Sequence, residues 1–214
     1  MSRARNALRF SSRELRDLGV AWLALGLAFA IFFERGGAAF VALLGGGGLV
    51  AALVVSLLTA GLGFLIHELA HKVVAVRFGQ IAEFRADYGM LFLAVVSAVA
   101  GFIFAAPGAV YHRGVLSDRE HGLIALAGPA VNIGLAVVFV PVLVVGGLLG
   151  SDFLSLVGSR GLAINLFLAA FNMLPFGALD GRTVLDWSKA AFVAVFVPSV
   201  AVTVFVVFVL GVGF

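Results

Sequence analysis

Cysteine is absent from this chain of 214 residues, and charge is scarce: Asp, Glu, Lys and Arg together make up 12% of it. Without cysteine there is no disulfide, no thiolate metal site and no thiol nucleophile, although the redox compartment stays undecided. The shortage of charge excludes more. A soluble domain is about 25% charged and about 45–50% apolar, whereas here 63% of residues are hydrophobic and the mean hydropathy is +1.18. One globular core cannot hide that much apolar surface, so lipid is the expected solvent. The net charge of +3 and the isoelectric point near 10.0 come mostly from Arg3, Arg5, Arg9, Arg13 and Arg16. This cluster precedes an apolar run and reads as a membrane-surface anchor, not as a nucleic-acid site.

Apolar runs organise the rest. Leu18 to Phe33 follows the arginines, and no small-residue cleavage site closes it, which predicts a retained signal-anchor helix. Leu49 to Phe78 is the next run, with its ionisable residues His67, Glu68, His71, Lys72 and Arg77 gathered at its far end. From Ala82 to Tyr88 polar and apolar residues alternate, as in a half-buried strand, and Ala109 to Arg113 is a second short strand candidate. Further apolar runs cover Met90–Ala106, Gly122–Gly150, Gly161–Leu179 and about Ala190–Phe214. The expected fold is an all-α polytopic membrane protein of five to six spans, with a short β or re-entrant element after the second. The expected divisions are a basic cytoplasmic N-terminus (1–17), a first span and loop (18–48), a catalytic membrane core (49–186) and a C-terminal span (187–214).

The 14 basic residues discriminate between five spans and six. If Met90–Ala106 crosses and the N-terminus is cytoplasmic, nine lie inside and five outside. If it dips in and returns, twelve lie inside and only Arg35 and Arg160 outside. The second arrangement is the more lopsided, which favours five spans plus a re-entrant element, with six spans as the rival.

His67-Glu68-Leu69-Ala70-His71 is the sharpest local pattern. On a helix, residues four apart share a face, so both imidazoles can bind one zinc ion while Glu68 reaches a water held there. With four His and five Glu in the chain, independent placement would produce this pattern roughly once in several hundred such chains, which makes accident a weak explanation. The structural alternative pairs the histidines with neighbouring helices and Glu68 with Lys72. A catalytic zinc site needs a third protein ligand. Downstream the choices are Asp152, Asp180 and Asp186; Asp180 is favoured because the charge count puts it level with the histidines. Its alternative is an ion pair with Arg182. Pro175 is expected to open the helix near Phe171, leaving the Asn172 amide free to hold a peptide carbonyl or its oxyanion. Gly128, Pro129 and Asn132 read as helix packing, with Asn132 a candidate partner for a carbonyl freed at Ala125. Asn165 reads as an interhelical hydrogen bonder, and His112 and His121 as interfacial and helix-start residues.

His67-Glu68-x-x-His71 with Asn172-x-x-Pro175, Leu179-Asp180-Gly181 and Gly128-Pro129-x-x-Asn132 resembles the site-2 protease family of intramembrane zinc metalloproteases, over about residues 49 to 186. The resemblance implies zinc held by His67, His71 and Asp180, with Glu68 as general base and Asn172 near the scissile carbonyl. It also implies a transmembrane protein substrate in the lipid bilayer. With no PDZ-like insert between the spans, the chain looks like a minimal archaeal or bacterial member. It would be multi-pass in the cell membrane, its active site nearer the cytoplasm, with a polar inlet lined by the loop after His71 and the segment after Asp180. Competing readings are a divalent-metal transporter or channel using the same groups, and an inactive relative that binds membrane proteins.

Overall fold

The computed structural model describes residues 8–46 and 48–213; Arg3 and Arg5 of the basic cluster lie outside them. Helix α1 (Ser12–Phe33) starts six residues before the apolar run because the Ser11 hydroxyl accepts the Glu14 backbone N–H at 3.1 Å. It is followed by α2 (Gly37–Gly46), a helix the sequence reading did not anticipate. Next, α3 (Gly48–Ser56) runs through a π-turn (Leu57–Gly61) into α4 (Leu62–Arg77), making one apolar segment of 30 residues. The π-turn loosens local backbone bonding, and Trp22 of α1 donates to the Leu57 carbonyl there at 3.1 Å.

The predicted strands form. β1 (Ile81–Ala86) and β2 (Gly108–Arg113) pair antiparallel, with Glu83 opposite Tyr111 and Phe84 opposite Val110. Between them α5 (Tyr88–Val99) has 12 residues, about 18 Å of helix, well short of the roughly 30 Å hydrocarbon core. The long α6 (Asp118–Leu149) begins with a capping box between Ser117 and Glu120. Then come α7 (Asp152–Asn172), α8 (Asp180–Trp187) and α9 (Lys189–Thr203), the last continuing as a π-helical turn to Val209. The run read as Gly161–Leu179 is thus corrected: its helix begins at Asp152 and stops at Asn172, ahead of Pro175.

Among the described residues, five helical segments are long and apolar enough to cross a membrane: α1, α3–α4, α6, α7 and α9 with its continuation. The chain is an all-α polytopic membrane protein with one small sheet. One core joins α1 to α4, β1 and α5 through Leu18, Leu25, Phe64, Phe84 and Leu91. A second joins α6, the end of α7, α8 and α9 through Ala125, Met173, Val184 and Phe192. Two ion pairs bracket the bundle. Glu14 at the start of α1 meets Lys72 near the end of α4 at 2.5 Å, and Glu34 just beyond α1 meets Arg160 of α7 at 3.3 Å.

Candidate metal centre

α4 carries His67 and Glu68 side by side and His71 one turn further on, all buried. The facing stripe of α6 is open at Gly128: a Cβ built there would collide with both imidazoles, so only glycine lets the helices close around them. Asp180 arrives on the first turn of α8. Gly181 permits this placement, because a Cβ there would strike the Met173 carbonyl at the end of α7. Gly177, at φ 64°, turns the intervening loop. Pro175 denies the Phe171 carbonyl its helical partner, and the Leu174 N–H takes it instead at 3.0 Å.

These three elements bring His67, His71 and Asp180 together, with one potential ligand atom from each inside a 4.8 Å cluster. The Nε2 atoms of the histidines are 2.9 Å apart, and Asp180 Oδ2 lies 3.2 Å and 3.4 Å from them. Hydrogen bonding tells which ring nitrogens are bare. His71 Nδ1 is 2.7 Å from the Ile124 carbonyl, which only accepts, so Nδ1 carries the proton. His67 Nδ1 is 2.5 Å from Asn132 Oδ1, likewise an acceptor. Two imidazole lone pairs and a carboxylate oxygen therefore converge on one point, and Asp180 Oδ2 is buried with no hydrogen bond. Three acceptors facing one another without a donor fit a cation. Two neutral imidazoles and one carboxylate are a donor set suited to zinc.

The histidines do bond a neighbouring helix, as the structural alternative has it, but through Nδ1 alone; the ion pairs of that alternative do not form. Lys72 does not pair with Glu68; its ammonium donates to Glu14 and, at 2.6 Å, to the Arg9 carbonyl, under the Phe10 ring. Arg182 pairs with Asp186 at 3.0 Å and not with Asp180. Glu68 lies in the electrostatic reach of His71, His67 and Asp180, and among the described residues nothing donates a hydrogen bond to it. Asn172 is only half-buried and donates one amide N–H to Leu168 of its own helix at 2.9 Å, leaving its second N–H and its oxygen. Asn132 does not serve Ala125; it serves His67, a role the sequence reading missed. His112 and His121 form a separate T-shaped pair with centroids 5.6 Å apart. Burial and then His121 lower the His112 imidazole, favouring its neutral form.

Fold and site together define a polytopic membrane protein with a buried metal centre. The chain is 36% identical over 202 residues, 94% of its length and 97% of the other's, to a protein of Methanocaldococcus jannaschii named as a zinc metalloprotease. It is 31% identical over 156 residues, 64% of its length and 69% of the other's, to one of Bacillus subtilis that bears the same name. No protein-family model matches it, and no solved structure does. The chain belongs to this family of zinc metalloproteases, and zinc is its cofactor.

Proposed function

We propose that the protein is an intramembrane zinc metalloprotease of the site-2 protease type, hydrolysing peptide bonds of transmembrane protein substrates. The observation that carries this reading is the placement of Glu68. A carboxylate with no structural partner lies buried in an apolar bundle beside the three converging ligand atoms. A metal transporter needs acidic and imidazole groups too, but gives no reason for a free carboxylate adjoining a closed ligand set.

In this reading His67, His71 and Asp180 hold the ion, which when bound supplies Lewis acidity that lowers the pKa of water and polarises the peptide carbonyl. Glu68 takes a proton from the attacking water as the oxygen bonds to the carbonyl carbon. It returns that proton to the amine nitrogen as the C–N bond breaks. The second N–H of Asn172 steadies the carbonyl oxygen while its charge develops. The candidate inlet for water is a cleft of about 280 Å³ beside α8, lined by Asp118 and His121 of α6 and by Thr183, Asp186 and Trp187 of α8. Its α8 wall lies in the segment after Asp180 that the sequence reading expected to line an inlet.

A helix hides its scissile bond within its own hydrogen bonds and must be unwound to be cut, and the sheet offers an edge for the extended strand. On β1 the outward N–H groups of Phe84 and Ala86 are taken by Glu14 at 3.0 Å and Asp17 at 3.4 Å. That edge is closed. The outward groups of Val110 and His112 on β2 are engaged by nothing among the described residues, so β2 receives the substrate.

The test is cleavage of transmembrane peptides by wild type and Glu68→Ala in detergent, with bound zinc measured in both. Protease chemistry predicts that the variant retains zinc and loses activity by at least 100-fold, the lower range for a positioned general base. Equal cleavage by both proteins would sink the reading.

A further inference from the structure

Asn132 and Asn165 are fully buried in the bundle, on α6 and α7 respectively. Amide oxygen and nitrogen are told apart by their partners, and here two backbone carbonyls, which can only accept, settle both orientations. Asn165 Nδ2 donates to the Gly161 carbonyl at 2.9 Å, which turns its Oδ1 toward Asn132. Asn132 Nδ2 donates to that Oδ1 at 2.8 Å and to the Gly63 carbonyl at 3.2 Å. Its own oxygen is thereby aimed at His67 Nδ1, one turn beyond Gly63 on α4. Turning the Asn132 amide over would set oxygen against oxygen at both of its other contacts and offer His67 a donor in place of an acceptor.

From this chain of bonds we infer that Asn132 is a positioning residue for the zinc centre, committing His67 to the tautomer with its proton on Nδ1 and its Nε2 lone pair on the metal, and that Asn165 locks Asn132 in the orientation required. The inference rests on His67 being a zinc ligand. The two ligand histidines differ in this respect. His71 is held by the backbone carbonyl of Ile124, which no substitution removes. His67 depends on a side chain, and that side chain on a second one 33 residues away on another helix. The centre is therefore tied to the packing of α4, α6 and α7, and loosening that packing at Asn165 should be felt as weaker zinc binding.

The experiment measures zinc affinity by chelator competition, and the absorption spectrum of the cobalt-substituted protein, on the full-length chain in detergent. Substrate is not needed, so the outcome is independent of whether Glu68 cleaves peptides. Asn132→Ala is expected to weaken zinc about 10–100-fold, the usual range for loss of such a support, and to alter the cobalt spectrum. Asn132→Asp keeps an acceptor for the His67 N–H but sets its second oxygen against the Gly63 carbonyl and Asn165 Oδ1, so it is expected to lose stability while binding zinc more tightly than Asn132→Ala. Asn165→Ala, which removes one of the two acceptors that orient the Asn132 amide, is expected to weaken zinc several-fold and decides the matter should Asn132→Ala not fold. Wild-type affinity and spectrum in the alanine variants would overturn the proposal. So would an Asn132→Asp variant as weak as Asn132→Ala, because Asn132 would then act only by packing helices together.

Discussion

Gly128 shows how much of the site one missing atom decides. Both imidazoles stand against it, each with its Nδ1 already committed, His67 to Asn132 and His71 to Ile124. Neither ring can swing away without losing a buried hydrogen bond. Gly128→Ala is therefore expected to lower stability by about 1–3 kcal/mol, as overpacking does, and to weaken zinc at least tenfold. Zinc titration with thermal unfolding in the same detergent checks both, and wild-type zinc affinity in the variant would show that the rings are less constrained than their bonds indicate. His67, Glu68 and His71 were legible in the sequence because helical spacing alone puts them on one turn. Asp180 was legible through the side of the membrane on which its neighbouring charges fall. Gly128 and Asn132 were visible as a pattern but read as packing, since which group an amide meets across a helix interface is a tertiary fact that no local spacing encodes.

Between the residue and the bundle, the sheet is the element with the most to say about substrate. Alternation announced the first strand and a short segment after Pro107-Gly108 offered the second, and both formed, but the fate of the two edges did not show in either. Glu14 and Asp17 lie about 70 residues from the backbone groups they satisfy. Glu14 also meets Lys72, so one carboxylate ties α1 to both β1 and the zinc-motif helix. Removing one partner of such a buried pair costs about 3–5 kcal/mol, which makes α1 a structural clamp on the sheet and the metal helix together. Helix α2 went unread for a different reason: it is apolar throughout, with neither charge nor periodicity to mark its ends. The open edge of β2 can be tested by Val110→Pro. It removes an N–H that faces away from β1, leaving the interstrand bonds of Tyr111 and Ala109 in place. Cleavage of a transmembrane peptide is expected to fall about tenfold through a higher KM, with zinc content unchanged. A variant with wild-type KM would move substrate capture elsewhere.

At the scale of the whole molecule, the few charges describe an orientation as well as a site. Glu14–Lys72 marks the end of the bundle nearer the zinc centre, since Lys72 follows His71 directly, and Glu34–Arg160 marks the other. With α5 too short to cross, a five-span arrangement would put twelve of the fourteen basic residues of the sequence on the N-terminal side, the side expected to face the cytoplasm. The absence of cysteine makes this directly measurable, because any introduced thiol is the only one in the chain. Val115, 98% exposed between β2 and α6, and Asp152, exposed at the start of α7, lie on opposite sides of the bundle. With five spans, Val115→Cys shares a side with Leu8→Cys and Asp152→Cys does not; with six, the pairing is reversed. In intact cells an impermeant maleimide is expected to label Asp152→Cys readily, and Val115→Cys and Leu8→Cys only after permeabilisation. Labelling of Val115→Cys from outside, with Asp152→Cys and Leu8→Cys protected, would mean that the chain crosses between β1 and β2. The zinc centre and its inlet would then have to be reassigned across the membrane.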